Sequence, residues 1–453
     1  MTQTTVHSYV QEFEDLLRTR GAEPAWLTPL RRAALSRFSE LGFPQRNQEE
    51  WRFTDVRPIA EQTFLPAGAV TSVPDRLLEC PLGALPFPRL VFVNGRFSPE
   101  LSRCEGIPAP VRVGSLADAL RVDPAPLERH LARYASFEQH PFVALNTACF
   151  ADGGFVHIPR NTQVETPILL AFIAVPGVEP VVMHPRSLVL VEENAQCTLI
   201  EAYFTVPEAQ GVYLTNAATE VMVADRAIVD HYKVAHEAHS AYHMHTLQVE
   251  LQRSAQFSSH NLTFGSAIVR NDHNARFHAE DAECTLNGLY IARDNQLVDN
   301  HTAIDHAVPH CNSHELYKGI LDGRGHGVFN GKIFVRKDAQ KTDAKQTNQV
   351  LLLSPQATIN TKPQLEIFAD DVRCTHGATV GPLETESLFY LRSRGISQQE
   401  AQNILIRAFA EDIIDRIRPE ALREAVHATL AAVLPQSAHT ETIPFRPGTV
   451  QNS

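Results

Sequence analysis

Apolar positions recur along this chain at two different periods, and the change from one to the other divides it. Leu27, Leu30, Ala34, Phe38 and Leu41 fall three and four residues apart, the spacing that lines up one face of an α-helix. A helix is therefore expected over 27–41, closing before Pro44, and an earlier helical run from Gln11 to Arg20 stops at Gly21. From about Phe142 to Gly381 the texture changes to short runs such as FVHIP, SLVLV, HTLQVEL, LYIA and VLLL, separated by Gly, Asn, Asp and Pro. These β-branched and aromatic runs suit strands. They are too numerous for a seven-strand sandwich and continue for over 200 residues, which predicts a β-solenoid whose coils stack on one another.

After Gly381 the helical period returns. Thr385 to Arg394 ends at Gly395, and Ser397-Gln-Gln-Glu400 has the form of a capping box opening a helix from Gln398 to Arg418. Its apolar residues form two stripes, Ala401-Leu405-Phe409-Ile413-Ile417 and Ile406-Ala410-Ile414, wider than packing on one side requires. One stripe is expected to meet the core and the other a partner. Pro419 suits the start of a further helix through Val433. Before the β region, the proline-rich stretch 64–88 reads as linker or irregular cover, and RLVFVNGRFS as a hairpin around Asn94-Gly95. The expected organisation is an N-terminal helical domain (1–63), a linker, hairpin and cover (64–141), a solenoid core (142–382), a C-terminal helical domain (383–435) and a disordered tail (436–453).

A formal net charge of -12 argues against a nucleic-acid surface, which is usually basic. The most apolar stretch, Ile168 to Met183, is broken by Pro176 and Pro180 and falls short of the roughly 20 residues a bilayer needs. Glu12, Glu14 and Asp15 sit where targeting leaders avoid acids. A cytoplasmic protein with no membrane partner is expected.

The seven cysteines are scattered and never spaced CxxC, which disfavours a disulfide framework and a zinc ribbon. In a strand, Cys374 and His376 project from one face about 7 Å apart. A thiolate and an imidazole so placed can give two ligands to iron or to an iron-sulfur cluster, with a second chain or a small molecule completing the set. The plainer alternative is a buried cysteine beside a hydrogen-bonded histidine. Many of the 21 histidines lie between His231 and His326. Among them, His310, Cys311 and His314 are weaker metal candidates, close to His301 and His306. For that group, and for the same-face pair His243 and His245, a structural role as stacked polar residues is the leading expectation. The stretch GRGHGVFNGK fails as a phosphate loop, since the first glycine of GxxxxGK falls on His326 and Ile333 follows Lys332. No nucleotide site and no catalytic motif of the GxSxG or HExxH kind is present.

Several long segments resemble the SufD branch of the SufB/SufD family of iron-sulfur cluster assembly proteins. They include NQEEWRFTDVRPI, LVFVNGRFSPELS, ALNTACFADGG, DNHTAIDHAVPHCNSHELYKGIL, NGKIFV, KTDAKQTNQVLLLS and ADDVRCTHGATVG followed by LFYLRSRGIS. EEWRFTD and Cys374-Thr375-His376-Gly377 point to the SufD side. The resemblance implies a mainly β fold, a right-handed parallel β-helix flanked by helical domains. It implies a scaffold with no catalytic cycle, joined through its last coils to a SufB-like paralogue and bound to a SufC-like ABC ATPase through the C-terminal helices. Leu405, Ile406, Phe409 and Ile414 are then the candidate ATPase-docking residues. His376 and Cys374 map to the shared interface where a transient cluster forms, and a homodimer is the form open to the isolated chain. A purely structural partner of SufB, and a stand-alone His-rich metalloenzyme, are the alternatives.

Overall fold

Ile228, Gln256, Glu283, Asn312, Asp343 and Arg373 stand in one column, each in parallel register with the next. The chain thus returns to the same place about every 30 residues, as a stacked-coil architecture requires. The computed structural model describes residues 9–10, 13–14, 17–18, 23–68, 78–206 and 211–434. Most of the helix expected over Gln11–Arg20, and all of the expected tail, lie outside these residues.

Strands that alternate along the sequence belong to two different sheets, which face each other across the core. One runs from Arg112–Ser115 through Tyr213–Val223, Ala241–Leu251, Ile268–Phe277, Leu297–His306 and His326–Val335 to Thr358–Ile367. The other starts at the hairpin Arg89–Val93 and Arg96–Phe97 and ends at Asn312–Leu321, Asp343–Leu352 and Arg373–Gly381. Asn94 and Gly95 both have positive φ, as the expected two-residue turn demands. The chain is therefore mainly β, a β-solenoid with helices on both sides of it in sequence.

One corner of the solenoid is turned at each coil by a residue in the left-handed region. Asn161, Asn194, Arg226, Ser254, Asp281, His310 and Lys341 all have φ between 53° and 64°. This conformation is uncommon outside glycine. It recurs here because the backbone N–H of every one of these corners except Asp281 bonds a carbonyl of the next coil, as in Arg226 to Arg253 at 2.8 Å and His310 to Gln340 at 2.9 Å.

The helices cover the two sheets from outside. Phe38, Phe43, Trp51 and Phe142 pack on Val182, Leu214, Met244 and Ile268 of the first sheet. The C-terminal helices Gln398–Ile414 and Glu420–Val433 set Ile406, Ile413, Ile414, Val426 and Leu430 against Leu262, Leu289 and Ile320 of the second. Ser397 Oγ accepts the Glu400 N–H at 3.2 Å, forming the expected cap. The helix stops at Ile414, four residues before the expected end, and the chain turns through Arg416 and Ile417, because Arg418 precedes a proline and is pushed out of helical geometry.

Candidate functional site: the terminal coil

Thr358–Ile367 and Arg373–Gly381 are the last strands of their sheets, each paired on one side only. The helix that follows, Thr385–Ser393, buries none of its residues and does not fold back to cover them. The final coil consequently presents two parallel strand edges with unused backbone donors and acceptors. Ile367 and Phe368 are exposed beside it, as are Phe389 and Tyr390 on the next helix.

Cys374 is in register with Ala344, and His376 with Gln346. Both partners are buried inward-facing residues, so thiol and imidazole rise from the same, inner face of the last rung. Their surroundings differ. Cys374 is half-buried against the apolar group Ile333, Val335, Ala339 and Ala344, and burial, aided by the charge of Asp343, pushes its thiol up. His376 is exposed. In the separate chain the pair is thus a protonated thiol beside an accessible imidazole, two donors short of a tetrahedral set.

The weaker candidates are dispersed. His310 is an exposed corner residue. Cys311 is fully buried with Sγ donating toward the carbonyls of Ala279 at 3.4 Å and Pro309 at 3.5 Å, and burial pushes its thiol up to about 11. His314 points outward, in register with Lys345. Among the described residues no three or more His, Cys, Asp or Glu side chains are placed to hold a metal ion. His301 instead contacts Asp299 at 3.1 Å and Glu50 at 3.2 Å. There it joins Arg270, which bonds Asp299 and Asp272 and stacks on Trp51. The EEWRFTD segment is therefore a clamp between the N-terminal region and the first sheet.

Of the proposed docking residues, Ile406 and Ile414 are buried against the second sheet, which corrects the expectation that they face a partner. Leu405 and Phe409 are half-buried, and Ile404 is the exposed large apolar residue of that helix. Lys318 holds the helix from below, donating to the Phe409 carbonyl at 3.2 Å and pairing with Asp412 at 2.8 Å.

Sequence reasoning missed the polar seam inside the solenoid. Glu201 accepts from Thr219 at 2.7 Å and contacts His231 at 3.1 Å and His245 at 3.5 Å. Lys233 donates to Asn271 at 2.8 Å, and Asn261 and Asn271 both donate to Asn300. Further along, Gln346 donates to Glu315. Burial brings Lys233 down to about 7 and Glu315 up to about 7, so both sit close to neutrality at physiological pH. The available signal was parity, a polar residue at the same inward position of successive coils, as in Glu201, Lys233 and Asn261.

A two-sheet β-solenoid with helices packed on its sheets, left bare at a final coil that carries a thiol and an imidazole, defines the class of protein. Residues 174–409 match the family model described as SUF system FeS cluster assembly, SufBD core domain, and residues 3–170 match the SufBD protein N-terminal region. The chain belongs to the SufBD family of iron-sulfur cluster assembly proteins. It is 33% identical over 422 residues to an iron-sulfur cluster assembly SufBD family protein of Synechocystis, covering 92% of this chain and 93% of the relative. It is 32% identical over 437 residues to the iron-sulfur cluster assembly protein SufD of Escherichia coli, covering 95% and 97%. The SufD of Bacillus subtilis is 24% identical over 438 residues, covering 94% and 98%. Among the described residues no helix is long and apolar enough to cross a membrane.

Proposed function

We propose that this chain is a non-catalytic, cytoplasmic scaffold subunit that completes a nascent-cluster site together with a SufB-like paralogue. The observation that carries the reading is the shared inner face of Cys374 and His376 on a rung whose edges are unpaired. A second solenoid stacked on that rung satisfies the open strand edges. It also brings its own donors against the thiol and imidazole, so a transient iron-sulfur cluster is held as cargo between two chains. Metal approach lowers a thiol that burial otherwise keeps protonated. The outward side of the C-terminal helices, Ile404, Leu405 and Phe409 with the neighbouring Phe389 and Tyr390, is the dock for a SufC-like ATPase. Nucleotide binding there shifts the pair of solenoids only if it favours one arrangement over the other.

A purely structural partnership is favoured by one observation, the packing of Cys374 among apolar residues. Co-expression with its neighbouring SUF subunits and anaerobic purification separate the two. His376→Ala and Cys374→Ser are expected to leave the complex assembled while cluster absorbance and cellular cluster formation fall. Unchanged cluster formation in both variants would remove the ligand role.

A further inference from the structure

Gln346 lies one rung below His376 and one rung above Glu315, in strict register with both. All three point inward, but only His376 is open to solvent; Gln346 is 1% and Glu315 3% exposed. Gln346 Nε2 donates to Glu315 Oε2 at 2.5 Å. With Nε2 turned to the Glu315 oxygen, the amide presents Oε1 as its remaining acceptor. The opposite sheet holds it from the side. Gly331 approaches so closely that a Cβ there would lie 2.2 Å from Gln346 Nε2 and 2.6 Å from its Cδ. The remaining atom, Gln346 Oε1, is buried and has no hydrogen-bond partner among the described residues. A buried carbonyl oxygen left without a donor is costly, and the polar side chain stacked above it on the next rung is His376. Adjacent rungs are about 4.8 Å apart, within the reach of a ring N–H rotated down toward an amide oxygen.

We propose that Gln346 is the positioning residue for His376: clamped by Glu315 and Gly331, it accepts the imidazole N–H and leaves the other ring nitrogen unprotonated and turned out to ligate. Metal-binding histidines are commonly oriented in this way by an acceptor behind the ring. The inference rests on the reading of His376 as a ligand. It gives a shared purpose to HELYKG, NGK, AKQTN and RCTHG, which lie far apart in sequence and supply Glu315, Gly331, Gln346 and His376.

The test reads the tautomer of His376 in the full-length chain by long-range proton–nitrogen NMR, with the signal assigned by its loss in His376→Ala. The wild-type chain is expected to hold one dominant tautomer. Gln346→Leu, which removes the acceptor, and Glu315→Leu, which removes the clamp, should both move His376 toward the mixture of a free imidazole. Gln346→Glu, still an acceptor, should restore the single form. Equal tautomer ratios in wild type, Gln346→Leu and Glu315→Leu, with circular dichroism unchanged, overturn the proposal. The ligand reading fails separately: if Gln346→Leu shifts the tautomer and His376→Ala leaves cluster formation intact, the hydrogen bond stands and the ligand role does not.

Discussion

Arg186 donates to Glu220 at 2.9 Å with both side chains completely buried. Neither charge depends on the other alone. Arg186 also donates to Asn146 and Thr147, while Glu220 accepts the backbone N–H groups of Ala132, Tyr134 and Ala135. The pair therefore ties two segments of the N-terminal cover to the first sheet. Removing one member leaves the other charge buried with its partner gone, a loss of about 3–5 kcal/mol. Arg186→Met should lower the urea midpoint accordingly, whereas Arg226→Met, which breaks an exposed pair with Glu193, should barely move it.

Glu315 makes stability fall with rising pH. Its folded carboxyl is raised to about 7 by burial, against opposing hydrogen bonds from Gln346 and Thr302. The native state therefore binds more protons than the unfolded chain between the ordinary carboxylate range and neutrality. The stability it contributes is complete at low pH and is lost as pH rises through about 7, by a total of about 3 kcal/mol. Lys233, lowered to about 7, has the opposite slope above neutrality, because there the unfolded chain binds the extra proton. Urea titrations at pH 5 and pH 8 should show Glu315→Gln gaining on wild type at the higher pH. Parallel curves at both pH values would contradict this.

The C-terminal helix has two sides that substitution should separate. Ile406 is buried against the second sheet and Ile404 faces out. Ile406→Asp should destabilise the helical cover by several kcal/mol, as buried charge without a partner does, and increase protease cleavage after Gly381. Ile404→Asp should leave melting unchanged and weaken capture of the ATPase subunit in pull-down. Equal capture by Ile404→Asp and wild type would count against the docking face.

Gly331→Ala should cost more than a helix or strand glycine normally does, because the added carbon meets both the Gln346 amide and the Phe329 ring. A loss of about 1–3 kcal/mol is expected from such overpacking, measured by thermal melting. In the double variant Gly331→Ala with Gln346→Ala only part of that loss should be recovered, since the added carbon also lies 2.8 Å from the Phe329 ring.

How much of this was legible in the sequence depended on whether the signal was local. Asn94-Gly95 announced its turn, and Ser397 with Glu400 announced a helix start, because each device is closed within four residues. The common face of Cys374 and His376 was equally legible, since a separation of two fixes it in any strand. The side of the C-terminal helix that meets the sheet was not. Leu405 and Ile406 are alike in apolar character, and only the curvature and position of the sheet decide that Ile406 goes in.

The interior seam was hidden for a different reason. Glu201, His231 and His245 come together from successive coils, and the coil length varies, so no fixed spacing links them. A polar residue inside a strand carries no mark of which face it takes; the register alone places Glu201 and Lys233 inward. His310 lay between the two cases: its place at a coil corner could be anticipated as a stacking role, but its backbone angle belongs to the whole corner column and to no local motif.

The two ends of the stack differ. At the final coil both outer strands are parallel to their neighbours, whereas at the other end, among the described residues, the first sheet begins with the short antiparallel strand Arg112–Ser115 and the second with a hairpin, so the parallel stacking pattern is broken there. A rod alike at both ends would string into filaments; a parallel-stacking surface at one end and short antiparallel strands at the other make the two tips unlike, so a neighbour that suits one does not suit the other.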